Sequence, residues 1–151
     1  MPALYVDANP RMIAYALDFG GSGHQHLPLG LSSIEAEYLA ISYGLNEYFL
    51  KWNRELDARQ SDIDIEKMQR TNKVEFADIA SPADRTKRPL PPAVVVRSDN
   101  EVVVKQLNQE YHIGDDRLRK LAQQVWQQCQ NVDVKFEWIP RSENKARRRL
   151  R

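Results

Sequence analysis

Val94-Val95-Val96 is a continuous β-branched apolar run, entered from Pro91-Pro92 and closed by Ser98-Asp99. A strand wet on one face alternates apolar and polar residues, whereas a continuous run belongs to a strand buried on both faces. Such a strand needs neighbours on both sides and cover above and below, so the run argues for a central strand in an α/β sheet.

The elements around it fit that frame. Leu4 to Val6 reads as a first strand and Met12 to Phe19 as a second, with the Asn9-Pro10 turn between them at antiparallel hairpin spacing. Gly20-Gly21-Ser22-Gly23 ends the second strand, and His24 to Leu29 is a short third. A helix starts at Ser32, with Glu35 three residues on in a capping-box pattern, and carries Ile34, Tyr38, Ile41, Leu45, Tyr48 and Trp52 on one stripe. Residues 53–92 are polar, carry both charge signs and end in Pro89-Leu90-Pro91-Pro92; they read as an insertion with one short helix near 64–69. After Asp99 a helix runs from Glu101 to Leu107, and another starts near Asp115 or Asp116 with Leu118, Leu121, Ala122, Val125 and Cys129 on one face. Val132, Val134, Phe136 and Trp138 then alternate with charged residues as a last strand. The expected order is β-β-β-α-(insertion)-β-α-α-β: one 151-residue domain built on a mixed five-stranded sheet with helices on both faces.

Composition excludes several classes. The single cysteine, Cys129, rules out an intrachain disulfide and a cysteine zinc site, and its place on a helix stripe makes it a small core residue. No apolar run approaches the ~20 residues that span a bilayer, and no basic region followed by an apolar stretch opens the chain, so a membrane partner and a signal peptide are not expected. A cytosolic monomer is the simplest expectation. The net charge of +1 hides a local excess: from Arg141 to Arg151 there are six basic residues and one acid, Glu143, which reads as a basic tail.

Three acids carry the chemistry. Asp7 closes the first strand, Asp99 follows the central strand, and Glu37 sits one turn inside the first helix at the edge of its core-facing side. If the two strands are parallel neighbours, Asp7 and Asp99 emerge at one sheet edge and the helix brings Glu37 to it. Converging carboxylates repel one another and lose hydration, and a divalent cation removes both penalties. An all-oxygen donor set suits Mg²⁺ or Mn²⁺. Taken singly, each acid is also a plausible cap or surface charge, Asp99 above all, since a helix follows it. His24 and His26 have chelate spacing but sit in a polar loop, where solvation is the simpler reading. Tyr5, Trp126 and Trp138 read as core or near-core aromatics.

Four segments, in order, resemble the type 1 ribonuclease H family, most closely its short form without a basic handle. They are Leu4-Tyr5-Val6-Asp7, Ser32-Ser33-Ile34-Glu35-Ala36-Glu37-Tyr38-Leu39-Ala40, Ser98-Asp99-Asn100-Glu101-Val102-Val103-Val104-Lys105-Gln106-Leu107 and Trp138-Ile139-Pro140-Arg141-Ser142-Glu143-Asn144-Lys145. The resemblance implies a ribonuclease H-like fold and a metal-dependent endonuclease that cuts the RNA strand of RNA–DNA hybrids, leaving 5′-phosphates, with Mg²⁺ or Mn²⁺ and no small-molecule cofactor. It assigns Asp7 to bridge two ions and Glu37 and Asp99 to hold the ion on the leaving-group side. The family's fourth acid would fall four residues after Asn144, where this chain has Arg148. The resemblance therefore implies weakened binding of the water-activating ion, with reduced activity or a preference for Mn²⁺, or else a hybrid- or duplex-binding module impaired in catalysis. Glu143 or Asn144 could supply a replacement oxygen. Asn9, Ser33 and Asn100 are the expected minor-groove contacts, Arg141, Lys145, Arg147 and Arg148 the expected phosphate contacts, and Asn144 is expected to touch the nucleic acid with them.

Overall fold

The computed structural model describes residues 1–71 and 91–150, with side chains described for 1–58 and 91–150. Five strands form one sheet in the order β3-β2-β1-β4-β5. The hairpin of β1 (Ala3–Asn9) and β2 (Met12–Leu17) is antiparallel, and β3 (Ser22–His26) pairs antiparallel to β2. On the other side β4 (Val94–Ser98) runs parallel to β1, and β5 (Val134–Trp138) parallel to β4. The Val94–Val96 run is thus central and buried. Several strand limits differ from expectation: β1 runs on past Val6 through Asp7 to Asn9, β3 ends at His26 rather than Leu29, and the last strand begins at Val134 rather than Val132. β2 stops at Leu17, leaving Phe19 47% exposed, and β3 begins at Ser22, inside the glycine-rich stretch expected to end the second strand.

Helix α1 (Ser33–Thr71) starts where its sequence signal lies: the backbone N–H of Glu35 donates to Ser32 Oγ at 3.1 Å. Tyr38, Ile41, Leu45 and Tyr48 are buried as the stripe requires, and Ala36, Ala40 and Gly44 are buried beside them. These small residues, four apart, let α1 come close to the sheet. A Cβ on Gly44 would meet Val6 Cγ1 at 2.9 Å and Leu4 at 3.2 Å, so only glycine permits this approach without a shift. The helix does not end near Trp52. It continues through Thr71, so residues 64–69 are helical as a continuation of α1 rather than as a separate short helix. The chain divides into two compact units, Met1–Tyr48 with Pro92–Arg151, and Phe49–Pro91; the second is helical through Thr71.

Helices α2 (Glu101–Leu107) and α3 (Asp116–Gln128) are tied to α1 by side chains. The Tyr38 hydroxyl donates to Gln106 Oε1 at 2.7 Å in the core, and the Ser42 hydroxyl donates to Gln128 Oε1 at 2.9 Å. Leu4 and Val6 face α1, so Ala3 and Tyr5 face the opposite side of the sheet, by strand alternation. There they cluster with Ala14, Val95, Ile139 and Ala146. That second face is covered not by an α-helix but by the 3-10 helix Lys145–Leu150. The basic segment is accordingly no free tail: Asn144 and Ala146 are buried and Leu150 packs against the cluster. Among the described residues, no helix is long and apolar enough to cross a membrane.

Candidate metal centre

The register of β1 and β4 decides the site. Val6 is opposite Ser98 in the parallel pair, so Asp7 and Asp99 each stand one residue beyond the last pairing, side by side at the carboxyl edge of the two strands. Parallel strands place both side chains at the same edge, which is where open α/β sheets build their sites. The close approach of α1 carries Glu37, seven residues before Gly44 and on the same helix face, to that edge.

Oxygen atoms of Asp7, Glu37 and Asp99 all lie within 4.8 Å of one another. Oxygens on opposite sides of one Mg²⁺ stand ~4 Å apart, so this cage closes on a cation with a small movement. Asp7 and Glu37 are 4% and 6% exposed. Asp7 Oδ1 accepts from the N–H of Ala8 at 2.8 Å, but Asp7 Oδ2, Glu37 Oε2 and Asp99 Oδ2 are buried with no hydrogen-bond partner among the described residues. Buried carboxylate oxygens are normally satisfied, and one orphan on each of three clustered acids is what a cation-binding cage would leave. The donors are all carboxylate oxygens, which fits a hard divalent ion.

Electrostatics agree with geometry. Burial, reinforced by the charges of Asp7 and then Asp99, pushes Glu37 up to about 9. Burial and the charge of Asp99 raise Asp7 to about 6, opposed by the Ala8 N–H and by Arg141 and Arg147. Without a bound cation, Glu37 therefore holds its proton at neutral pH.

Asp99 is not the cap of the helix that follows it. That cap is Asn100, whose Oδ1 accepts from the N–H of Val103 at 3.1 Å, while the N–H of Asn100 donates to Ser98 Oγ at 3.1 Å. Trp138 Nε1 donates to the carbonyl of Asp99 at 3.1 Å. The backbone around Asp99 is held on both sides and its carboxylate is left for the cage. Sequence reading missed this role of Trp138. It expected a core or near-core aromatic, whereas the indole lies at the strand end and is 47% exposed. The signal was its position as the last residue of the alternating run, opposite Ser98 in the sheet.

The other expected site residues scatter. Asn9 Oδ1 accepts from the N–H of Arg11 at 2.9 Å within the hairpin turn, and Ser33 is exposed at the start of α1. Asn144 is 5% exposed and not displayed to a ligand: its Nδ2 donates to the carbonyl of Val6 at 2.8 Å and its Oδ1 accepts from the N–H of Ala146. Glu143 is exposed and does not join the carboxylate cage, because the buried Asn144 fixes the turn with Glu143 outward. Lys145 lies over the Tyr5 ring at 5.2 Å, and Arg141 is exposed. Arg147 is half-buried and Arg148 exposed. His24 and His26 are exposed, their rings edge-on with centroids 6.0 Å apart.

Comparison with known proteins fits this arrangement. The model of a family described as reverse transcriptase-like matches residues 90–150. Among solved structures, LC11-RNase H1 in complex with an RNA/DNA hybrid is similar with a TM-score of 0.63 and 16% identity, covering 98% of this chain and 92% of that one. RNase H1 from the halophilic archaeon Halobacterium salinarum matches with a TM-score of 0.58 and 16% identity, over 99% of this chain and 95% of that one. The N-terminal RNase H domain of a Mycobacterium tuberculosis protein matches with a TM-score of 0.59 and 15% identity, over 99% and 92%.

Proposed function

We propose that this chain, which has the ribonuclease H-like fold, is a metal-dependent nuclease that cleaves the RNA strand of RNA–DNA hybrids. The observation that carries the reading is the cage of Asp7, Glu37 and Asp99, with three buried, unpartnered oxygens at the carboxyl edge of parallel strands. One similar structure holds an RNA/DNA hybrid, which supports the choice of substrate.

A divalent ion, Mg²⁺ or Mn²⁺, would supply Lewis-acid stabilisation of the charge that develops on a phosphate under attack. The residues do the rest. Asp7, fixed in β1 with one oxygen on the Ala8 N–H, would hold the ion with its other oxygen. Glu37 from α1 and Asp99 just past the end of β4 would hold it with theirs. Held there by packing, the three would need little rearrangement to take up an ion. Arg141, Lys145 and Arg148 are exposed cations, and they are the proposed contacts to the phosphate backbone. Asn9, Ser33 and Asn100 are the proposed minor-groove contacts, reading the 2′-hydroxyls that mark the RNA strand. Residues 53–92 are an insertion in this reading and take no part in it.

The test is incubation of a labelled RNA–DNA hybrid with the protein and Mg²⁺ or Mn²⁺. Cleavage of the RNA strand alone, lost in Asp7→Asn, is the expected result. Absence of cleavage with both metals at high protein concentration would sink the nuclease reading. A second reading is favoured by one observation, the arginines of the C-terminal turn: a module that binds the hybrid without cutting it. Hybrid binding that survives Asp7→Asn, with no cleavage by the parent chain, would select it.

A further inference from the structure

Edge strand β3 carries a second group of metal-ligating side chains, different in kind from the carboxylate cage. His24 and His26 both lie inside β3, two residues apart, so strand alternation puts them on one face of the sheet. Register identifies that face. His24 is opposite Ala14, which packs with Ala3 and Tyr5 in the second-face cluster, and His26 is opposite Met12. Directly paired residues of an antiparallel ladder leave the sheet on the same side, with Cβ atoms ~5 Å apart. Two imidazoles and a thioether therefore share one corner of the sheet, both histidines exposed and Met12 half-buried.

The strand is pinned along its length. At its start, Arg149 donates to Ser22 Oγ at 2.9 Å and to the Ser22 carbonyl at 3.2 Å. Just past its end, the N–H of Leu27 donates to the carbonyl of Arg11, the residue before Met12, at 2.8 Å. Between them, the carbonyl of His24 accepts from the Tyr43 hydroxyl at 3.4 Å. The two imidazole rings stand edge-on with centroids 6.0 Å apart. An ion ~2.0 Å from an imidazole nitrogen lies roughly 3.2 Å from the ring centroid, so one ion spans two centroids up to about 6.4 Å apart. The observed separation falls inside that reach.

Donor chemistry selects the ion. Mg²⁺ and Mn²⁺ prefer oxygen, which this corner does not offer and the carboxylate cage does. Imidazole nitrogen suits several transition metals, but a thioether sulfur favours soft copper(I). Charge points the same way. Imidazole binds metals in its neutral form and a thioether has no charge, so a singly charged ion is repelled less by nearby Arg149 than a doubly charged one.

We propose that Met12, His24 and His26 form a copper(I) site on the β3 edge of the sheet, separate from the carboxylate cage and independent of the nuclease reading.

Anaerobic titration of the whole chain with Cu(I), in competition with bicinchoninate and followed by the absorbance of the Cu(I)–bicinchoninate complex, tests it. The parent should withdraw one copper per chain. His24→Gln and His26→Gln should each weaken that binding by about a hundredfold, and Met12→Leu, which keeps the volume, by about tenfold. Cys129→Ala and Asp7→Asn should bind copper as the parent does. No copper withdrawn by the parent would overturn the proposal, as would loss in Cys129→Ala alone or parent-like binding in either histidine variant. Unchanged affinity in Met12→Leu, or displacement of Cu(I) by an equal concentration of Zn²⁺, would overturn the assignment to copper. X-ray absorption at the copper edge needs no variant: nitrogen and sulfur neighbours together are expected in the loaded parent, and nitrogen alone would refute the thioether ligand. None of these measurements depends on hybrid cleavage, so the nuclease reading stands or falls separately.

Discussion

Asn144 donates its side-chain amide to the carbonyl oxygen of Val6 at 2.8 Å and thereby ties the C-terminal turn to the strand residue beside Asp7. Its carbonyl oxygen accepts from the N–H of Ala146, so one buried side chain satisfies two buried backbone groups. Asn144→Ala should therefore cost about 1–3 kcal/mol, since it leaves both groups without a partner in a place water does not reach. Chemical denaturation of the variant checks this. A change below ~0.5 kcal/mol would show that the turn is held by Ala146 and Leu150 alone.

Glu37 and Asp7 set the pH response. Their folded-state values, about 9 and about 6, lie above the ordinary 4.5 and 3.8, so the folded chain holds protons that the unfolded chain has released. Stability of the metal-free protein should be full below about pH 4 with respect to these two groups and should fall as pH rises toward 9. Melting temperature across that range, with EDTA present, tests the trend. Glu37→Gln should flatten the curve above pH 6, and an unchanged slope would refute the assignment.

Metal binding should reverse that slope. Cation and protons compete for the same oxygens, so binding of Mn²⁺ at pH 7 should release protons, and the rise in melting temperature on adding metal should grow with pH. Calorimetry in two buffers of different ionisation enthalpy measures the release. An observed enthalpy independent of buffer would contradict the protonated cage.

Asp99 and Asn100 should separate cleanly. Asn100→Ala removes the cap bond to Val103 and should cost about 1 kcal/mol while leaving the carboxylate cage able to bind metal. Asp99→Asn keeps the cap and should leave stability nearly intact while weakening metal affinity by an order of magnitude or more. Paired melting curves and metal titrations distinguish the two. If Asp99→Asn instead unravelled α2, its side chain would be the cap after all.

Gly44→Val should disturb the site from a distance. The added Cβ meets Val6 and Leu4 at 2.9 and 3.2 Å whatever the rotamer, and the two methyls need further room. Overpacking of this kind costs about 1–3 kcal/mol. It should also lift α1 from β1 and carry Glu37 from Asp7, so weaker metal binding is expected along with the loss of stability. Retained metal affinity in a destabilised variant would show that Glu37 is positioned independently of this contact.

Local pattern determined much of this protein. The alternating and continuous apolar runs marked the strands, the Ser32–Glu35 cap and the 3.6-residue stripe marked the start and buried face of α1, and three acids at element ends marked the site, because each signal lies within a few consecutive residues. Tertiary structure decided what depends on pairing across the chain. The register that sets Val6 opposite Ser98 makes Asp7 and Asp99 neighbours, and strand sequence alone does not encode register. The choice of Asn100 over Asp99 as cap depends on Ser98 and Trp138, which hold that backbone from two different strands. The run of arginines looked like a solvated tail because charge is all the sequence displays there. Burial of Asn144 and Ala146 against β1 fixes that segment on the sheet, bonded to the residue before Asp7. Side-chain chemistry is written residue by residue, but which chemistries meet is settled by contacts between segments far apart in sequence, as Val6 with Ser98 and Val6 with Asn144.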